Sequence, residues 1–523
     1  MHFKRNIIIG FSILMSHVYS NLHGQTNLLD AIDRNDTALV ERLLSHGANA
    51  NQRKMLVSIT LPGRRKYIYR QHTVRSKLSF SVRKRNTPLA DATRFNSFSI
   101  VQQLLSHGAD PNKRSNSVLT PLSWAAHNGN LEMVQLLLSH GAKMNRYEKG
   151  NATTPLIEAV QRKHLETARY LLNKEIEVDF ADEKGMTALS HAAKTKGFEI
   201  VKLLIEKGAD CNHRDKEGNS ILDLACGDDI FFEKIDSATF YYLVDKGAAA
   251  SERAFYSLCN KGQTDLAKAL LDNGMQVKQN FILAAVRSGD LEFVKYLEST
   301  FNLSLDYYEP GDQQTALYIV TGGYAIGGGA DRQLNIDLIK YILGKNNEIN
   351  KQGYDRVTPL MNLFKYPKSD SLTAIAASLL IQNGAIVNCA DSSLDYSTLM
   401  YAVSKKAIRS VKILVENGAD VNFANWEKRT ALSLACWSYD NGKVIQYLVE
   451  KGADINHRDK DGETPAMNLI VFARFENLMT LAELGADLNI RTNQGYTVLD
   501  LIDNEPVRAQ LIRKGAKSGT VSK

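Results

Sequence analysis

Twelve histidines and five cysteines are the residues of this chain best suited to hold a metal or act as nucleophiles. His46, His107 and His140 each stand directly before a Gly-Ala pair, so they form a series and not a cluster. If each marks one stacked unit, neighbours lie about 10 Å apart. Zinc ligands must all come within about 2 Å of one ion. The row is therefore not expected to share a metal, and a place near a helix C-terminus, where positive charge is favourable, accounts for it. Cys226, Cys259 and Cys436 occupy positions that hold Ala126 or Ala193 elsewhere and read as small buried apolar residues. Cys211 and Cys389 fall in distant turn segments. No Cys-x-x-Cys, Gly-x-Ser-x-Gly, His-Glu-x-x-His or P-loop string occurs. The glycine-rich string Thr321–Asp331 lacks the Gly-Lys-Ser/Thr of a phosphate cradle and reads as a loop inserted between two helices. The sequence thus points to no enzyme, metal or cofactor.

The elements that would position these residues come from a repeat. Gly-Ala-Asp-x-Asn or a close relative begins at Gly47, Gly108, Gly141, Gly208, Gly384, Gly418, Gly452 and Gly485. In phase with it runs Thr-Pro/Ala-Leu, at Thr87, Thr120, Thr154, Thr187, Thr315, Thr358 and Thr430. Threonine caps a first helix and proline fits its first turn. Val134, Leu137 and Leu138 give a second helix one apolar stripe. Gly141 stands where a left-handed C-cap belongs, and an Asp-x-x-Gly segment such as Asp215–Gly218 makes a turn between units. No unit can bury its apolar face alone, so the units must stack.

These strings, at a period near 33 residues, resemble the ankyrin repeat over most of residues 26–517. The resemblance implies an all-α repeat solenoid of stacked helix pairs with β-turn fingers, about fourteen units with caps at both ends. It also implies a protein partner, without naming one. The family's motif has a histidine after Thr-Pro-Leu; Ser123, Ser190 and Ser433 stand there, which is expected to lose one habitual hydrogen bond.

Two regions break the period. Gly247 and Gly274 are too close to leave room for a finger, so residues 251–303 are expected to form two compact helix pairs without fingers. The expected organisation is a signal peptide at 1–20, an N-terminal array at 21–250, irregular pairs at 251–312 and a C-terminal array at 313–523. The second break is an oversized first finger. Residues 52–85 hold eleven Lys or Arg and no Asp or Glu. Val57, Ile59 and Leu61, then Leu78, Phe80 and Val82, alternate with polar residues and predict a β-hairpin. Two readings fit it. One is an anion-binding arm that uses Arg64, Arg65, Lys66, Arg70, Arg83, Lys84 and Arg85 on an anionic surface or polyanion. The other is a solvated hairpin whose cations guard its strand edges. The total absence of acids favours the arm.

Fingers carry recognition in such a scaffold. Trp426 with Arg429, Tyr147, and Tyr354 with Asp355 stand at finger positions and are the expected partner contacts. Trp124 lies inside a first helix, as core or concave lining. At the N-terminus, Lys4 and Arg5 precede an apolar stretch from Ile7 to Met15 and then Val18-Tyr19-Ser20, the pattern of a secretory signal. No apolar run is long enough for a membrane-spanning helix. The expectation is an exported protein, periplasmic or extracellular. The chain total of +7 then conceals a mildly acidic array and one concentrated basic arm.

Overall fold

The computed structural model describes residues 28–51, 55–60, 79–84, 87–113, 119–144, 153–174, 176–227, 235–311, 313–322, 324–325, 332–345, 348–366, 369–438 and 441–519. Among the described residues fourteen helix pairs follow one another, from the pair ending at Ser45 to the pair ending at Arg513. The fold is an all-α repeat solenoid. No described helix is long and apolar enough to cross a membrane.

The first helices that carry the Thr-Pro/Ala-Leu string begin as the sequence predicts. Thr120 is extended and its Oγ1 accepts from the Ser123 amide at 3.1 Å, with Pro121 in the first turn. The serines at the family's histidine position are not idle. Thr120 Oγ1 donates to Ser123 Oγ at 2.9 Å, and the Thr187–Ser190 and Thr430–Ser433 hydroxyls meet at 3.1 and 3.3 Å. The expected loss of a side-chain bond is therefore corrected: serine is long enough to reach its own cap. The small residues Ala125, Ala126, Ala192 and Ala193 are buried where neighbouring first helices touch. Second helices bury one stripe, such as Val134 with Leu137, and end on a left-handed glycine such as Gly141 (φ 83°).

Among the described residues, the asparagine that closes a Gly-Ala-Asp-x-Asn string joins one unit to the next. Asn112 Nδ2 donates to the Gly141 carbonyl at 2.6 Å and its Oδ1 accepts from the Lys143 amide at 2.9 Å. The same two-pronged bridge runs from Asn51 to Gly108 and Asp110, from Asn388 to Gly418 and Asp420, and from Asn422 to Gly452 and Asp454. One amide side chain thus satisfies a carbonyl and an N–H that would otherwise face solvent.

The described chain divides into two compact units, one reaching Ala254 and one running from Phe255. Within the first, β1 (Met55–Thr60) pairs antiparallel with β2 (Ser79–Lys84), with Val57 opposite Val82 and Ile59 opposite Phe80. The residues between these strands lie outside those described.

The second unit opens on short helices at Thr264–Asp272, Phe281–Ser288 and Leu291–Phe301. Lys278 and Asp306 stand where the bridging asparagine would be. Packing replaces the bridge: Phe255 stacks on Phe281 at 4.2 Å, with Phe293 beside it at 6.2 Å. Gln279 Nε2 also donates to the Ser304 carbonyl at 3.0 Å. The glycine-rich insertion carries a two-residue antiparallel pairing, Tyr324–Ala325 with Arg332–Gln333, so at its base it is paired strand and not simply loop. The last unit also departs from the pattern, since its first helix is a 3-10 turn, Val498–Leu501.

Candidate functional site

Fingers are built by one carboxylate or amide closing a tight turn on its own backbone. In the first unit Asp215 Oδ1 accepts from the amides of Glu217 and Asn219 at 3.0 and 2.8 Å, and Asp182 Oδ1 accepts from Lys184 and Met186 at 2.8 and 2.9 Å. Successive fingers are laced together, with the Lys216 amide donating to the Lys184 carbonyl at 3.0 Å. Gly185 (φ 77°) lies so close to this lacing that a Cβ would sit 2.8 Å from the Lys216 nitrogen. The tips here carry Glu183, Lys184, Lys216 and Glu217, all charged.

The second unit uses the same turn with other tips. Asn425 Oδ1 accepts from Glu427 and Arg429 at 3.1 and 2.9 Å, which lifts Trp426 to the tip, 57% exposed. The Lys460 amide donates to the Glu427 carbonyl at 2.9 Å, and Lys460 Nζ lies 5.9 Å from the Trp426 ring. One finger earlier, Asp391 Oδ1 accepts from the Leu394 and Tyr396 amides, and Leu394 is exposed. Burial opposes ionisation of Asp391, but bonds from the Tyr401 hydroxyl and these amides outweigh it and lower its pKa. Tyr354 is 68% exposed. Its neighbour Asp355 is left-handed (φ 58°), and the Asp355 carbonyl accepts from the Ser392 amide at 2.9 Å. Further along, Tyr496 is exposed where the Asn493 amide donates to the Asp461 carbonyl at 2.9 Å.

The expected contacts are therefore placed as follows. Trp426 and Tyr354 stand at outward tips, and Asp355 shapes the Tyr354 finger. Arg429 turns inward: its guanidinium carbon lies 4.5 Å from the Trp437 ring centroid, and it pairs with Glu427 and, at 3.8 Å, with the buried Asp459. It braces the finger under Trp426. Tyr147 lies outside the described residues, as do Arg64, Arg65, Lys66, Arg70 and Arg85; Arg83 and Lys84 lie in β2. Leu394 and Tyr496 are not singled out from the sequence. Leu394 stands one repeat before Trp426, so phase alone could have found it; Tyr496 stands two repeats after Trp426, at the finger position that Arg429 fills, and phase does not mark it.

First helices carry the other chemistry of the first unit. Arg94 lies 5.6 and 5.7 Å from the Phe95 and Trp124 rings. The Trp124 ring meets His127 edge-on at 5.2 Å, placing Trp124 half-buried on the first-helix face. His127 Nδ1 bonds Glu158 Oε2 at 2.9 Å, and Thr153 donates to Glu158 Oε1 at 3.0 Å. His191 Nε2 bonds Asp182 Oδ2 at 2.8 Å. Each imidazole is spent on a carboxylate across or within a repeat. The row of His46, His107 and His140 is likewise accounted for: each Nδ1 bonds the carbonyl four residues back, at 2.6, 2.9 and 3.0 Å. Among the described residues no group of three or more His, Cys, Asp or Glu could hold a metal ion. Burial pushes the Cys259 and Cys436 thiols up, away from nucleophilic character.

A sequence model of the family described as "Ankyrin repeats (3 copies)" matches residues 67–148, 89–182, 122–215, 174–248, 329–425 and 376–459, together more than half of the chain. An ankyrin repeat protein of Rickettsia felis is 34% identical over 80 residues, which are 15% of this chain and 21% of that protein. Protein phosphatase 1 regulatory subunit 27 of Mus musculus is 33% identical over 63 residues, 12% of this chain and 41% of that protein. The chain thus spans less than half the length of the curated relatives it matches.

Proposed function

Because this chain belongs to the ankyrin-repeat family, a protein-interaction scaffold, we propose that it is a non-enzymatic adaptor that acts after export and holds a protein partner on its finger tips and concave face. The observation that carries this reading is the series Tyr354, Leu394, Trp426 and Tyr496, exposed apolar or aromatic groups on fingers of the second unit. Exposed aromatic residues are the types that dominate interface energetics once a partner covers them. Beside Trp426, Arg429 pairs with Glu427 and lies 3.8 Å from Asp459 of the next finger, so the base of the tip is braced. The charged signal-like N-terminus supports export to the periplasm or the extracellular space.

The test is affinity of the purified full chain for its captured partner. Trp426→Ala with Tyr354→Ala weakens binding at least tenfold with an unchanged melting temperature; undiminished affinity contradicts the assignment.

A second reading is favoured by the antiparallel pairing of β1 and β2 inside the segment that holds eleven cations and no acid. In it the hairpin anchors the protein to an anionic surface or polyanion and the array is a carrier. Deleting residues 54–84 then abolishes sedimentation with phosphatidylglycerol vesicles, whereas the adaptor reading expects partner affinity to survive that deletion.

A further inference from the structure

Four successive turns that join first to second helices in the first unit differ from the turn before them, which holds Asp33 and Asp36, and from the segment after them, which holds Asp228, Asp229 and Glu233. Arg94–Ser97, His127–Asn130, Gln161–His164 and Lys194–Gly197 together hold five Lys or Arg and no Asp or Glu. Arg94, Arg162, Lys163 and Lys194 are exposed. Lys163 (φ 61°) and Lys196 (φ 57°) hold the left-handed position that Gly129 (φ 68°) fills in the neighbouring turn, so lysine stands there against its backbone preference. The carboxylates nearby are engaged or set back. Glu158 is taken by His127 and Thr153, Glu166 faces Arg169 at 3.7 Å, and Glu132 and Glu199 lie in the first turns of second helices, whose N-terminal ends attract them. Asp91 lies one turn before Arg94.

We propose that this edge of the first unit docks an acidic, extended protein segment, with Arg94 as its anchor. The guanidinium carbon of Arg94 lies 5.6 and 5.7 Å from the Phe95 and Trp124 ring centroids. Its N–H groups suit the two-point grip of a carboxylate. Phe95, 50% exposed, offers apolar contact beside that grip. The turns repeat about every 10 Å and an extended peptide advances about 3.3 Å per residue. A carboxylate at every third residue therefore meets one turn after another. This surface is separate from the fingers and does not depend on them.

Trp124 provides a local reporter, because the chain has three tryptophans and the other two are Trp426 and Trp437. In the full chain carrying Trp426→Phe and Trp437→Phe, a twelve-residue peptide with glutamate at every third position is titrated while Trp124 emission is followed. The proposal expects a saturable, salt-weakened change, absent for the same peptide with glutamine. Substituting Arg94, Arg162, Lys163 and Lys194 with glutamine weakens binding about tenfold or more, without a change in melting temperature. Arg94→Lys alone keeps the charge but loses the fork, and weakens it about threefold. An unaltered emission, equal binding of the glutamine peptide, undiminished binding by the fourfold variant, or the same response to an oligothymidylate would each overturn it.

Discussion

The two units use one turn chemistry to display different groups. In the first, Asp182 and Asp215 close fingers whose tips are Glu183, Lys184, Lys216 and Glu217. In the second, Asp391 and Asn425 close fingers whose tips are Leu394 and Trp426. The lacing between neighbouring fingers is the same, Lys216 to Lys184 in one and Lys460 to Glu427 in the other, each a backbone bond of 2.9 or 3.0 Å. The scaffold is thus indifferent to what stands at the tip, and function resides in the tip residues. The units differ in their joints as well. The first bridges its repeats with Asn51, Asn112 and Asn212. The second begins with stacked phenylalanines and returns to asparagine bridges from Asn350 on.

The largest expected effect breaks the second unit where it has no bridging asparagine. Phe281 is fully buried and stacked on Phe255, so Phe281→Ala costs about 3–5 kcal/mol. Calorimetry should show the transition of the second unit lowered while that of the first stays in place, because repeat stability is carried by nearest neighbours.

Next in size are the bridges themselves. Asn112→Ala in the first unit and Asn422→Ala in the second each remove two hydrogen bonds to the following repeat, at about 0.5–1.5 kcal/mol per bond. Equal losses in urea titrations of the two variants would show that both units are joined alike wherever the asparagine is present. A loss at one site only would break that equivalence.

The smallest effect concerns the C-terminal cap. Burial opposes ionisation of Asp500, but bonds from Ser518, Thr497 and Gly519 outweigh it and hold its pKa at about 2. A carboxyl lowered in the folded state stabilises above its unfolded value near 4, and that contribution fades as pH falls through about 2. Asp500→Asn should therefore lower the melting temperature by a few degrees at pH 7, and its difference from the parent chain should vanish near pH 2.

Much of this is legible in the sequence. Thr-Pro-Leu and Gly-Ala-Asp-x-Asn specify a cap, a helix start and a left-handed stop through local chemistry, so the helix pairs follow from spacing. The asparagine was visible as a repeat letter, but its bond to the next unit was not, because its partner lies about thirty residues away. Trp426 was legible as a tip because its finger keeps phase. The inward turn of Arg429 was not, since Trp437 and Asp459 come from other elements. The grouping of Arg94, Phe95, Trp124 and His127 was hidden for the same reason: two turns in successive repeats build it.

The central claim is that apolar tips of the second unit, and not the charged tips of the first, hold the partner. A photo-crosslinking residue placed in the full chain at Trp426 or at Lys216 tests it most directly, in the cells that produce the protein. The account predicts a covalent adduct with the same partner protein from position 426 and none from position 216. An adduct from 216 alone, or equal adducts from both, would contradict it.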